Sequence, residues 1–321
     1  MPPAGNWQAH FLRGKVGAVR RAAGTLAVLT SALAPAGTCA ASYRGANRQP
    51  SGSAYAMRAH SAIVGGRPAR NGQFPWVARI VARRGKVVDA CSGTVVAPNL
   101  ILTAGHCVED VQSGAPRQAT DFEAQTAAYV AGRLTSRSSR VSLVLVYPGF
   151  ERKSGVGDAA LLELSTPTNA PSIPLASEAS DWPAGTRALM TGWGRTDTTT
   201  RRTQLPFLRW ANTVIQSPEW CAAKLRGFHT RRQLCAMNAP NDNTAGCAGD
   251  SGGPLLVRRG GETIEIGVLN GSVLRRSTVV TCLTNEPTVF ASSSVISGWV
   301  HEWIQRLTIV PIAVTEGAPN K

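Results

Sequence analysis

No apolar run in this sequence approaches the ~20 residues that a membrane-spanning helix requires, so no transmembrane anchor is expected. Charge is also thin. Only 17% of residues are charged against 43% hydrophobic, a balance that excludes an intrinsically disordered chain and leaves enough apolar side chains to bury a sizeable core. Metal-ligand spacing is missing as well: Glu109 and Asp110 are adjacent carboxylates without the ligand loop that calcium uses. Neither a metal nor a cofactor is implied.

Acidic residues are absent from the first 62 positions. None of the 19 acidic residues and seven of the 34 basic ones precede Ile63, so the net charge of +15 becomes +8 beyond that point. No nucleic-acid motif accompanies the excess, and no nucleic-acid partner is expected. Arg137, Arg140, Arg201 and Arg202 fall in expected surface loops, where they read as a solvated basic face; attraction to a polyanion or an acidic surface is the other reading.

What is present begins with 32 glycines, which suit a loop-rich β protein, and seven cysteines, six of them beyond position 90. That count suggests three bridges formed in an oxidising compartment. The leader agrees. Arg13, Lys15, Arg20 and Arg21 precede the apolar run 22–34, and Ala34-Pro-Ala36 offers a small-residue cleavage site, so 1–36 reads as a secretory signal peptide. Cys39 is either lost with the leader or a lipidation site, but residues 36–38 lack the large aliphatic that lipidation normally needs. Residues 37–62, rich in Ser, Ala, Gly and Arg, read as a pro-segment.

The chemistry centres on CAGDSGGP at 247–254. Glycines around Ser251 let the backbone turn sharply and let a substrate approach closely. A serine hydroxyl alone is a weak nucleophile, so it needs a base within hydrogen-bond reach and a third group to orient that base. His106, in LTAGHC at 102–107, and Asp158, in GDAALLEL at 157–164, are the candidates. Singly, each motif has a plainer reading as a turn or a structural residue.

TAGHC, GDAALLEL, TGWG at 191–194 and GCAGDSGGPL, in that order, resemble the chymotrypsin/trypsin family of serine endopeptidases, over roughly residues 63–307. The resemblance implies an all-β fold of two six-stranded antiparallel barrels, about 63–165 and 185–307, with a short C-terminal helix and a tail at 308–321. Apolar and β-branched runs place strands at 76–81, 93–96, 100–103, 141–147, 160–164, 187–191, 208–215, 255–257 and 264–269. Helices are expected at 218–225 and at 294–307, the latter with Val295, Trp299, Trp303 and Leu307 on one face.

The same resemblance assigns roles. Ser251 would attack, His106 would shuttle the proton, Asp158 would orient the imidazole, and the amides of Gly249 and Ser251 would hold the oxyanion. Bridges Cys91–Cys107, Cys221–Cys235 and Cys247–Cys282 are implied. Cleavage before Ile63 would free an α-amine to pair with Asp250. The pocket for the residue before the cut would be formed by Ala245, Gly246, Ser272 and Thr288. Ala245 stands where trypsin-like members carry aspartate, and side chains at Ser272 and Thr288 would narrow the walls, so small apolar residues should fit; Ala62, before the activation bond, suits such a pocket. Three positions depart from the family pattern: Gly105, where alanine is usual, a small change that would loosen the turn before the histidine; Asn270, where a serine normally supports the buried aspartate; and Gly271, in place of the aromatic that usually lines the substrate cleft. The expectation is a secreted, monomeric serine endopeptidase acting on proteins or peptides. The alternative is a catalytically silent module on the same scaffold, binding a protein or polyanion.

Overall fold

The structure, a computed structural model, describes residues 63–309 apart from 85–86, 111, 131–132, 178–181, 195–206, 241, 272–281 and 283. The expected leader, pro-segment and Cys39, together with Arg201, Arg202, Ser272 and the tail from 310, lie outside the described residues.

In chain order the strands are β1 (Arg67–Pro68), β2 (Val77–Arg84), β3 (Val87–Ala97), β4 (Leu100–Thr103), β5 (Phe122–Val130), β6 (Arg133–Val146) and β7 (Ala160–Leu164). There follow β8 (Arg187–Gly192), β9 (Arg209–Ile215), β10 (Gln233–Asn238), β11 (Pro254–Arg259), β12 (Glu262–Gly271) and β13 (Thr288–Ser292). Helices α1 (Gly105–Val108), α2 (Pro218–Lys224) and α3 (Ser293–Ile309) complete the set. Six strands close a first barrel in the order β2-β3-β4-β7-β6-β5. A second ring runs β8-β9-β10-β13-β12-β11 and closes on β8, with β1 added at the edge of β9. All pairings within both barrels are antiparallel.

The apolar runs of β4 and β7 fall at their expected boundaries because both strands are covered on two sides. Along β4, Ile101 points into the first barrel beside Leu162, while Leu100 and Leu102 point outward into a seam with Leu161, Val268, Ile296 and Val300. Successive side chains of a strand face opposite ways, so a strand with two dry faces needs an unbroken apolar run instead of alternation. Each fully buried aliphatic there contributes about 1.5–3 kcal/mol. By contrast β9 is half-covered, and its burial alternates residue by residue.

The structure adds four strands that the sequence reading lacks: β1, β5, β10 and β13. On the inward faces of β5 and β10 small or polar residues interrupt the apolar signal, Ala124 and Thr126 after Phe122 in one and Ala236 after Leu234 in the other. β3, β6, β11 and β12 extend well beyond their apolar centres because partner strands go on pairing with polar segments. α2 starts where expected: Ser217 accepts the backbone N–H of Trp220, and Pro218 sits in the first turn, where its missing N–H costs nothing.

α3 runs two residues further than expected, and its buried stripe is turned slightly. Ile296 and Val300 are fully buried at its centre, with Trp299, Trp303, Ile304 and Leu307 flanking them. Val295 sits at the margin, where its carbonyl accepts from the Tyr147 hydroxyl at 3.4 Å. This stripe joins the last helix to the outer face of the first barrel, although the helix follows the last strand of the second.

Candidate active site

All three bridges form as the resemblance implies: Cys91–Cys107, Cys221–Cys235 and Cys247–Cys282. The first ties α1 to β3. α1 is a single turn following β4, and His106 stands on it, so the bridge and the buried Val108 on the same turn hold the imidazole's base in place. His106 and the sulfurs of Cys91 and Cys107 cluster closely enough to suggest a metal site, but both sulfurs are spent in the disulfide and neither is available as a thiolate.

Asp158 reaches this turn from the residue pair just before β7. It is 1% exposed, and it grips His106 twice: the ring Nδ1 donates to Oδ2 at 2.6 Å, and the backbone N–H donates to Oδ1 at 2.8 Å. An ionised carboxylate can only accept, so the ring proton belongs on Nδ1 and Nε2 is left with its lone pair. Burial acts to lower the histidine's pKa. The charge and hydrogen bond of Asp158, helped by Glu109 and opposed by Arg152, outweigh burial and raise it above the ordinary value.

The departure at Gly105 has a steric cause. A β-carbon there would lie 2.8 Å from the Phe150 ring and 3.1 Å from Asp158 Oδ1. Phe150 has taken the space that a side chain at 105 would need.

Ser251 lies on the turn before β11, between Gly249 at φ 96° and Gly252 at φ 81°, both in the left-handed region that favours glycine. The turn is held from the first barrel. Ser92 N–H donates to the Ser251 carbonyl at 2.8 Å, and the Ser92 hydroxyl donates to the Gly249 carbonyl at 2.9 Å while accepting from Trp193 N–H. Thr103 in turn donates its hydroxyl to the Ser92 carbonyl. Neither Ser92 nor Thr103 was anticipated; the only hint is a small polar residue directly after Cys91.

Cys107 Sγ lies 3.9 Å from His106 Nε2 and 3.8 Å from the Ser251 carbonyl oxygen, so imidazole and serine loop flank one sulfur. Among the described residues no hydrogen bond joins the Ser251 hydroxyl to the imidazole. Such contacts are often long before substrate binds. The Asp250 carbonyl accepts from Gly253 N–H, and because a trans peptide sets its N–H opposite its carbonyl, the Ser251 N–H faces away from that bond. Among the described residues, neither it nor the Gly249 N–H has a backbone acceptor.

Asp250 is fully buried beneath this loop. It accepts from Gly194 N–H at 2.8 Å, from Cys247 N–H at 2.9 Å and from the backbone N–H of Ile63. Burial pushes its pKa up to about 7, against the pull of those three bonds. The glycines of the TGWG motif make the room: a β-carbon at Gly192 or Gly194 would fall within 2.6 Å of the Asp250 carboxyl. Ile63 is itself buried in the second barrel's core and, at φ 47°, is the one non-glycine residue in the left-handed region among the described residues.

Of the expected pocket residues, Ala245, Gly246 and Thr288 come together and Ser272 lies outside the described residues. Thr288 and Leu269 pack over Gly246, where a β-carbon would meet them at 3.2 and 3.0 Å. A larger cleft of about 560 Å³ opens beside His106 and Asp158 and runs past Phe150, Asn270, Gly271 and Val289. Asn270, at the position where serine usually supports the buried aspartate, donates instead to the Gly155 carbonyl at 2.7 Å. It steadies the loop that leads to Asp158 rather than the carboxylate itself.

Comparison with known proteins agrees with this geometry. The trypsin family model matches residues 63–300. A tryptase from Mus musculus is 27% identical over 259 residues, covering 76% of this chain and 89% of that protein. The fibrinolytic enzyme isozyme C from Lumbricus rubellus is 28% identical over 249 residues, covering 75% and 99%. With that family match spanning most of the sequence and two closed six-stranded barrels beneath it, the protein belongs to the trypsin family and is a serine endopeptidase.

Proposed function

We propose that the protein is secreted, is activated by cleavage before Ile63, and hydrolyses peptide bonds through an acyl-enzyme on Ser251. The observation that carries this reading is the double grip of Asp158 on His106 beside the serine loop. It leaves Nε2 as the free base. The Ser251 hydroxyl gives its proton to that nitrogen as its oxygen bonds to the scissile carbonyl carbon. The C–N bond then breaks as His106 returns the proton to the leaving amine, and water repeats the sequence to release the acid. The amides of Gly249 and Ser251 receive the oxyanion, each donor being worth about 3–4 kcal/mol in the transition state.

Activation follows from Asp250. In the intact chain the Ile63 peptide N–H occupies the place that an α-ammonium would take after cleavage. A peptide donor leaves the buried carboxyl with no counter-charge, whereas an ammonium supplies one and frees Ile63 from its left-handed backbone. Three bridges, using all six cysteines beyond Ile63, support an oxidising compartment and hence secretion after removal of residues 1–36. The buried Ala245 and the Thr288–Leu269 roof over Gly246 support a shallow pocket for Ala or Val before the cut.

A fluorophosphonate probe tests the reading. Protein processed at Ile63 should label at Ser251, and Ser251→Ala should abolish the label. Absence of labelling in correctly processed protein would leave a binding module on a protease scaffold.

A further inference from the structure

We propose that the cleft beside the catalytic residues selects substrates with acidic side chains at the second to fourth positions before the scissile bond. This rests on the proteolytic reading above and names the substrate class it serves.

The position of the cleft relative to the cut follows from β12. Leu269 roofs the pocket proposed for the residue before the cut, and the next two residues of the same strand, Asn270 and Gly271, line the cleft, as does Val289 beside Thr288. A peptide whose side chain enters the pocket therefore has its preceding residues along the cleft.

The cleft's charge is one-sided. Arg152 and Lys153 line one wall, on a loop from the first barrel, and Arg226 lines the other, just after α2. Among the described residues the only carboxylate in the lining is Asp158, which is buried and committed to His106. Carboxylates nearby also have partners: Glu109 faces Arg152 at 3.8 Å, and Glu151 pairs with Arg232 at 2.9 Å. Arg152 is thus already engaged. Lys153 and Arg226 are exposed, and among the described residues neither forms an ion pair.

The wall that carries Lys153 is braced. Glu151 N–H donates to the Val156 carbonyl and Gly155 N–H to the Glu151 carbonyl, closing the loop on itself. Asn270 then fixes the Gly155 carbonyl, Gln233 the Ser154 carbonyl and Arg232 the Glu151 carboxylate, all from the second barrel. On the other wall Leu225 N–H donates to the Cys221 carbonyl and Phe228 N–H to the Leu225 carbonyl, holding the backbone on either side of Arg226, so both charges line a concave surface from held backbone, where fields of one sign concentrate.

The test uses two peptides that share Ala before the cut and differ only in carrying Glu or Gln at the three preceding positions. On processed protein at low salt, kcat/KM should favour the Glu peptide about three- to tenfold, the sum expected from two exposed charge pairs. The ratio should fall toward one at about 1 M salt, where screening acts within ~3 Å. It should also fall to about one in the double variant Lys153→Gln/Arg226→Gln, and invert in Lys153→Glu/Arg226→Glu. Because the ratio is read on one preparation, loss of folded protein cancels. A parent ratio of one or below, or a ratio indifferent to both double variants, overturns the proposal. If neither peptide is cut, the hydrolytic reading fails by itself, and dissociation constants of the same peptides on processed Ser251→Ala protein decide the charge preference: three- to tenfold tighter binding of the Glu peptide upholds it, and equal binding overturns it.

Discussion

The two barrels hold their halves of the site by different means. In the first, His106 is fastened by a disulfide at the neighbouring residue and by two short hydrogen bonds from one buried carboxylate. In the second, Ser251 rides a turn made possible by left-handed glycines, above a buried Asp250 that accepts three backbone N–H groups and, among the described residues, forms no ion pair. The base side already has its hydrogen bonds in the uncleaved chain, whereas on the activation proposed above the nucleophile side would gain a charge from cleavage. Control of that kind would need only one half to be conditional, the half whose buried carboxyl is held by peptide N–H groups.

The largest effects should separate these halves. Asp158→Asn keeps the shape but cannot accept the Nδ1 proton in the same way, so the processed enzyme should lose about 10⁴ in kcat. Asp250→Asn removes the partner of the new amine, and breaking a buried pair of this kind costs about 3–5 kcal/mol, or roughly 10²–10³ in activity. Thermal melts should distinguish the two. Processing should raise the Tm of the parent and of Asp158→Asn alike, and should leave the Tm of Asp250→Asn nearly unchanged. An equal gain in both would end the comparison.

A second buried acid sharpens it. Glu265 on β12 is fully buried, and its pKa is pushed up to about 8 by loss of solvent. Thr94 on β3 of the opposite barrel approaches it and opposes the rise, yet no hydrogen bond of ordinary geometry reaches either carboxyl oxygen. The folded protein therefore keeps a proton that the unfolded chain releases above its ordinary carboxylate range near 4.5. Between these values the native state binds more protons than the unfolded one, so stability falls as pH rises from about 4.5 to about 8 and is level above that. Glu265→Gln should erase this fall. Its advantage over the parent should grow across that window to about 3–5 kcal/mol, read by denaturant melts at several pH values. A difference independent of pH would show that the carboxyl is not the source. Asp250 in the intact chain contributes a similar slope at lower pH, which the variant-minus-parent difference removes.

Much of this site is legible in the residues because its chemistry needs fixed types at fixed places: a histidine beside a half-cystine, an aspartate heading an apolar strand, a serine among glycines. β4 and β7 are legible for a related reason, since two dry faces demand an unbroken apolar run. What could not be read depends on which loops meet. Ser92 looks like any small polar residue until its hydroxyl is found between Gly249 and Trp193. Asn270 suggests a weakened support for Asp158, and only the packed loop shows it bound to Gly155 instead. β5 and β10 escape because Ala124 and Thr126 in one and Ala236 in the other break the apolar period that Phe122 and Leu234 begin.

Gly105 gives the smallest and most local test, on the side of the site that already has its hydrogen bonds. From the sequence it reads as a loosened turn, whereas the structure shows the space above it filled by Phe150 and the Asp158 carboxylate. If the turn were merely loose, Gly105→Ala would stiffen α1 and raise stability, since alanine is favoured over glycine in helices by about 1 kcal/mol. A β-carbon 2.8 Å from an aromatic ring must displace it, and overpacking of this kind costs about 1–3 kcal/mol. The variant should therefore melt lower and lose several-fold in kcat, because the same β-carbon would also stand 3.1 Å from the Asp158 Oδ1 that accepts the His106 N–H. Phe150→Leu combined with Gly105→Ala should restore most of both losses. A single variant more stable than the parent would show that the histidine's turn has slack, and that the base side is less firmly built than its two hydrogen bonds imply.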